Sequence, residues 1–264
     1  MITISVCNHK GGTGKTTSSI NLAAALSLSG LNVLVVDLDP QGFLTRMVGI
    51  GEPDASESSA ILFDPDAKEG RALPIVETGS FALMPSSPAL SKLTRPVDVL
   101  WLKEFVEGDV PALGYDVLLF DTAAAVTVYS LNALAASDHV VIPVLPEYQP
   151  VVGAEQTWQT AQMVRKKLNP GLDEPSFLLT MVDGRKQNHR SYRSYMREKY
   201  GSHVMKQIIR TCTTLSISHG PGGTVYSRNA HARGAVDYAS AAEELMTRIS
   251  RRERAPHQEP AIQA

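Results

Sequence analysis

Lys10-Gly11-Gly12-Thr13-Gly14-Lys15-Thr16-Thr17 is the stretch whose reading decides the fold. An apolar, β-branched run from Ile2 to Cys7 precedes it, and a helix-like segment from Thr16 to Ser29 follows. Strand, glycine-rich turn and helix, in that order, are the context in which such a string cradles phosphate. The glycines let backbone N–H groups converge on an anion, and the helix N-terminus adds its dipole. Lys15 supplies a charge, and the Thr16 hydroxyl is suited to ligate Mg²⁺. The candidate nucleotide-binding residues are therefore Lys10, Gly11, Gly12, Thr13, Gly14, Lys15, Thr16 and Thr17.

Working outward, further runs that read as buried strands lie at Asn32 to Leu38, Asp116 to Phe120, His139 to Val144 and Phe177 to Val182. Helix-like stretches separate them: Val128 to Ala136, Val151 to Leu168 and Ser191 to Tyr200, with a last amphipathic helix at Ala235 to Ser250. This alternation predicts an α/β fold, a doubly wound, mostly parallel sheet with helices on both faces. A single domain over residues 1–250 is expected, with residues 251–264 a disordered tail. The Asp-, Glu-, Ser-, Pro- and Gly-rich segment Gly49 to Arg71 reads as a surface excursion with room for a short helix, rather than as a domain boundary.

Composition sets the outer bounds. The chain has 264 residues, 43% hydrophobic and 20% charged, with a net charge of −2, so a nucleic-acid partner would have to be met by a local basic patch. Cys7 and Cys212 are far apart in sequence, which argues against a cysteine metal or redox pair and for a reducing, cytoplasmic setting. No apolar run approaches the roughly 20 residues of a membrane span, and no signal peptide is visible.

Two strands end in acids. Val33-Leu34-Val35-Val36-Asp37-Leu38-Asp39 places two carboxylates at the carboxyl edge of a buried strand, where doubly wound sheets hold ligands. Two residues apart on an extended chain they point the same way, and their repulsion favours a nearby Mg²⁺ or ordered water. Tyr115-Asp116-Val117-Leu118-Leu119-Phe120-Asp121 has the form of a Walker B strand, whose terminal Asp121 would hold Mg²⁺ through water.

A standard phosphate loop, G-x-x-x-x-G-K-[ST], has glycine where this chain has His9, and Lys10 is an added cation. The string K-G-G-T-G-K-T-T resembles the deviant Walker A loop of the ParA and MinD superfamily. The resemblance implies ATP and Mg²⁺ as cofactors, ATPase activity and a homodimer when ATP is bound, in which Lys10 reaches the partner's nucleotide. It implies catalytic roles for Lys10, Lys15 and Asp39, the last orienting the attacking water. Thr16, Asp37 and Asp121 would serve the metal, and Glu147 would touch the partner's nucleotide or simply favour a helix N-terminus. Many family members continue Asp-x-Pro-Pro where this chain reads Asp121-Thr122-Ala123-Ala124.

Leu178-Leu179-Thr180-Met181-Val182-Asp183-Gly184-Arg185 follows the ParA pattern L-L-T-M-x-D-x-R, which implies that Met181 and Asp183 border the adenosine and that Arg185 opens a DNA-contacting surface. From Arg185 to Arg210, eight Lys and Arg residues stand against Glu198 alone. Arg190, Arg193 and Arg197 recur at helical spacing, so with Arg185 and Lys186 they form the candidate footprint for nonspecific double-stranded DNA. The resemblance further implies a ParB-like or other adaptor protein as partner, a nucleoid-associated cytoplasmic location, and the segregation or positioning of a plasmid, chromosome or other cargo. Likeness weakens at Ile209-Arg210-Thr211-Cys212 and through Gly220-Pro221-Gly222-Gly223, and returns at Arg233-Gly234-Ala235. The rival is a MinD-like membrane switch. The last helix keeps Ile249 as its only late apolar residue, too small a face for firm membrane binding.

Overall fold

In the computed structural model, which describes residues 1–64, 72–92, 97–218, 220 and 222–253, the phosphate loop joins the centre of an eight-stranded sheet to the first helix. The strands are β1 (Ile2–Val6), β2 (Val33–Asp37), β3 (Val76–Glu77), β4 (Ala82–Met84), β5 (Val117–Asp121), β6 (His139–Val144), β7 (Ser176–Val182) and β8 (Val204–Arg210). Their order is β3-β4-β2-β5-β1-β6-β7-β8, and every pairing is parallel except β3 with β4. The helices are α1 (Lys15–Leu28), α2 (Phe43–Met47), α3 (Trp101–Gly108), α4 (Val128–Ala135), α5 (Tyr148–Lys167), α6 (Gln187–Tyr200), α7 (Thr213–Ile217), α8 (Val225–Asn229) and α9 (Arg233–Glu253).

Two-residue periodicity sorts the strand side chains into two cores. Val33, Val35, Val117 and Leu119 pack with Ile20 of α1 and Leu245 of α9 on one face. Leu34, Val36, Leu118 and Phe120 pack with Phe105 of α3 and Ala133 of α4 on the other. Strands buried on both faces need near-continuous apolar sequence, which is why these runs are legible. The edge strand β8 is not: Lys206 and Arg210 at its exposed positions break the apolar run.

Part of the excursion is not a simple surface loop. Ala55–Glu57 and Ser59–Phe63 form short 3₁₀ turns, and Ala60 and Phe63 are buried beside Tyr129. Residues 65–71 lie outside the described part, as does the tail beyond Glu253; α9 itself runs three residues past the expected boundary. The unusual Gly-Pro-Gly-Gly run has a packing reason. A Cβ on Gly223 would collide with the Met47 carbonyl oxygen, and the Gly220 N–H donates to that same oxygen at 2.8 Å.

Candidate functional site

The site forms where β1, β2 and β5 end side by side, with Asp37 directly across from Asp121 in the ladder and Val6 beside it. Beyond β1 the chain turns through the loop, and Gly14, at φ 83°, caps α1 in a left-handed conformation that a residue with a Cβ adopts only under strain. Lys15 is 7% exposed, and its ammonium donates to the Lys10 carbonyl at 3.2 Å. Burial lowers its pKa, while Asp121, Cys7 and Asp39 pull it back up. A buried cation under a glycine turn, with one acceptor for three donors, is a receptor for an anion.

Asp121 is fully buried and accepts from the Thr16 hydroxyl at 3.0 Å and from Ser19 at 2.6 Å. Burial raises the pKa of Asp121 and of Asp37, which also feels the charge of Asp121. Among the described residues no three His, Cys, Asp or Glu side chains converge as a closed metal cage. One carboxylate and one hydroxyl beside a phosphate cradle is the donor set suited to Mg²⁺, which keeps waters and takes its remaining ligands from substrate phosphates.

Asp37 and Asp39 do not stand side by side as an extended chain would place them. The strand ends at Asp37, whose Oδ1 accepts the Asp39 N–H at 3.1 Å and turns the chain. Its Oδ2 accepts the Thr45 N–H at 3.1 Å and the Thr45 hydroxyl at 2.7 Å. Asp37 therefore ties down the loop and α2, and its charged neighbour is Asp121. Asp39 is half-buried, and its Oδ1 accepts the Gln41 N–H at 2.9 Å.

The Lys10 backbone is fixed on both sides while its side chain is exposed. Its N–H donates to Asn8 Oδ1 at 2.9 Å, and its carbonyl receives Lys15. The preceding His9 N–H donates to Thr157 of α5 at 3.0 Å. Gly153 of α5 lies so near that a Cβ there would be 2.7 Å from the Lys10 Cβ. Asn8, Gly153 and Thr157 carry no signal in the sequence, because only the fold brings α5 against the loop. Gly153→Ala should displace the Lys10 segment and so weaken several-fold, by sedimentation, the ATP-dependent self-association that the resemblance implies; nucleotide affinity should change less, because Gly12 to Thr16 are untouched.

A cavity of about 290 Å³ adjoins the loop, lined by Gly14, Thr17, Met181, Ile209, Cys212 and Tyr238 among others. Met181, at φ 49°, is the only described non-glycine residue with positive φ, and the Thr211 hydroxyl donates to its carbonyl at 3.0 Å. Such strain collects at ligand sites. Asp183, expected with Met181 at the border of the adenosine, does not line this cavity; its carboxylate takes the Arg185 guanidinium in two bonds, 3.0 and 2.9 Å, which lower its pKa. Glu147 sits at the N-cap of α5, and its carboxylate meets His189 at 3.1 Å and Lys186 at 3.5 Å, with the His189 hydrogen bond chiefly lowering its pKa.

The basic run is less bare than its sequence. Arg185 is paired with Asp183, Lys186 with Glu147, Lys199 with Glu155 and Arg210 with Asp237. Arg190 donates to the Gly184 carbonyl and to Gln187. Among the described residues Arg193 and Arg197 have no carboxylate partner, and the buried Nε of Arg193 has no acceptor. Burial, then Arg197, lowers the Arg193 pKa.

The AAA domain family matches residues 1–174. The chromosome-partitioning ATPase Soj of Thermus thermophilus is 35% identical, over 93% of this chain and 96% of that protein. The chain is a ParA-type ATPase. The sporulation initiation inhibitor protein Soj of Bacillus subtilis is also similar, 32% identical over 92% of this chain and 97% of that protein. A crystal structure of cobyrinic acid a,c-diamide synthase from Mycobacterium smegmatis, with bound ATP analogue and magnesium, superimposes with a TM-score of 0.77. It is 26% identical and covers 97% of this chain and 98% of that one. The ParA-type chain has no described helix long and apolar enough to cross a membrane.

Proposed function

We propose that this ParA-type ATPase binds Mg·ATP in its phosphate loop, dimerises when it does so, and holds DNA without sequence preference while dimeric. Hydrolysis, stimulated by a ParB-like or other adaptor protein, then releases it, so that the cycle segregates or positions a cargo on the nucleoid. The observation that carries this reading is Lys10. Its backbone is locked by Asn8 and Lys15, while its exposed side chain has no partner among the described residues. A cation held at the rim of a phosphate cradle and unused by its own chain is placed to meet a second chain's phosphates, in the manner of an arginine finger.

Within one chain, Lys15 and the loop N–H groups grip the phosphates, and Thr16 and Asp121 hold the metal. Asp37 fixes the loop that follows β2, the switch loop, and Asp39 orients the attacking water. Mg²⁺ supplies charge neutralisation on the phosphoryl oxygens. Arg190, Arg193 and Arg197, together with the paired Arg185 and Lys186, face the DNA backbone, and Met181 borders the adenosine.

The test combines sedimentation with DNA binding. Lys10→Ala should bind nucleotide much as the parent does but remain monomeric with ATP; ATP-driven dimers at parental concentration would remove Lys10 from the interface. An Arg190→Ala/Arg197→Ala pair should bind DNA more weakly and lower the slope of log K against log salt by about 1 for each phosphate left without its cation. An unchanged slope would place the DNA surface elsewhere.

A further inference from the structure

The hydroxyl groups around the switch loop form a buried frame. Thr45, Ser59, Ser86 and Ser87 are each at most 2% exposed. The Ser59 hydroxyl donates to the Asp37 carbonyl at 2.6 Å, while its N–H donates to the Pro85 carbonyl at 2.7 Å. The Ser86 N–H donates to the Thr45 hydroxyl at 2.9 Å, and that hydroxyl donates onward to Asp37. Most directly, the Ser86 hydroxyl donates to the Asp39 carbonyl at 2.6 Å. The Gly42 N–H also reaches that carbonyl, at 2.8 Å, closing a turn over residues 39–42. Within the turn the Gly42 and Gln41 N–H groups bond to Asp39, the Asp39 N–H bonds back to Asp37, and the Ser86 hydroxyl ties the Asp39 carbonyl to the loop that follows β4.

We infer that Ser86 is a positioning residue for hydrolysis: buried just past the end of β4, it anchors the Asp39 turn and so sets where the Asp39 carboxylate stands. The inference rests on the reading of Asp39 as the water-orienting group. Its physical basis is that Asp39 lies beyond the end of β2, where no ladder bond holds it. A carboxylate on a free turn samples many positions, and small misplacements cost rate far out of proportion to their cost in stability. The same frame explains the first part of the excursion, whose Ser58 and Ser59 knit to Ser87 and Pro85. Ser87 is the built-in control: its hydroxyl bonds to Ser58 at 3.1 Å and accepts the Ala89 N–H at 3.2 Å, and neither bond reaches residues 38–42.

The experiment measures steady-state ATP turnover and melting temperature for Ser86→Ala, Ser87→Ala and Asp39→Ala in the full chain. Ser86→Ala should lower kcat on the order of tenfold with KM for ATP within about twofold, because the phosphate grip is untouched. Ser87→Ala should keep the parental kcat despite a comparable loss in melting temperature. Should Ser86→Ala yield no folded protein, Ser86→Cys, with a weak donor of similar size, carries the same expectation in smaller measure. A kcat within twofold of the parent overturns the inference, and so does a fall in both serine variants that tracks their melting temperatures. If Asp39→Ala itself turns over ATP normally, the reading of Asp39 has failed; if Asp39→Ala is slow and Ser86→Ala is not, only the role of Ser86 has.

Discussion

Asp39→Ala should turn over ATP about 10² to 10⁴-fold more slowly than the parent while binding Mg·ATP no more weakly. The asymmetry follows from where the residue sits. Asp39 lies past the end of β2, half-buried, and only its Oδ1 is engaged, by the Gln41 N–H. Its charge acts on Lys15 and Asp121, so it lies near the phosphate cradle, and its carboxylate makes no hydrogen bond to the cradle. Removing it deletes a group that can hold the attacking water and leaves the loop N–H groups, Lys15, Thr16 and Asp121 in place. One negative charge fewer near the phosphates favours nucleotide binding. Phosphate release and nucleotide affinity, measured on the same preparation, check both halves; equal turnover would take Asp39 out of the mechanism. On the proposed cycle the variant should also accumulate as an ATP-bound dimer, which makes it the natural background for testing Lys10.

Asp121→Asn should separate stability from function. Burial raises the pKa of Asp121 and Asp37, so the folded chain holds these protons more tightly than the unfolded chain does. For a carboxyl shifted upward, stability falls as pH rises from about 4 through the raised values, and at pH 7.5 the cost is present. The Asn side chain removes one of the two facing charges and still bonds to Thr16 and Ser19, whose hydroxyls can either donate or accept. In EDTA the variant should therefore melt about 2–4 °C above the parent, the equivalent of about 1 kcal/mol in a chain of this size. Adding Mg·ATP at about 100-fold its Kd should raise the parental midpoint by roughly 5–10 °C, from about 2.7 kcal/mol of linkage. The variant should gain little from Mg²⁺. A thermal-shift series with and without Mg²⁺ reads both effects. A variant that melts lower in EDTA would show that the Asp121 charge is already compensated by Lys15.

The parts legible in the sequence are those governed by local chemistry. Strands Ile2–Val6, Val33–Asp37 and Val117–Asp121 are buried on both faces, so each needs an unbroken apolar run and cannot be mistaken for an amphipathic surface element. The phosphate loop is equally readable, since glycine, lysine and threonine each do there what no other residue type does as well. The helices Tyr148–Lys167 and Gln187–Tyr200 are legible too, but their sequence signal starts three to four residues late. Tyr148 opens the first of them exposed, outside any apolar periodicity, and polar caps carry little signal.

What the sequence could not supply is every relation between segments far apart in the chain. The basic run from Arg185 to Arg210 reads as uncompensated because its acids, Glu147, Glu155 and Asp237, come from other elements. Asp37 and Asp39 read as a matched pair only on an extended chain, and the turn that parts them depends on Thr45 and Ser86. Gly153 and Gly223 carry no motif, yet each marks a place where another segment lies too close for a Cβ, the Lys10 Cβ in one case and the Met47 backbone in the other. The sequence by itself determined the five central strands of the sheet, the phosphate cradle and the acids at its edge, because burial and anion binding are satisfied residue by residue. Only the tertiary structure decided which charges are neutralised, how the cavity beside Met181 is walled and what holds Asp39, because those are set by distances between elements that the chain order does not encode.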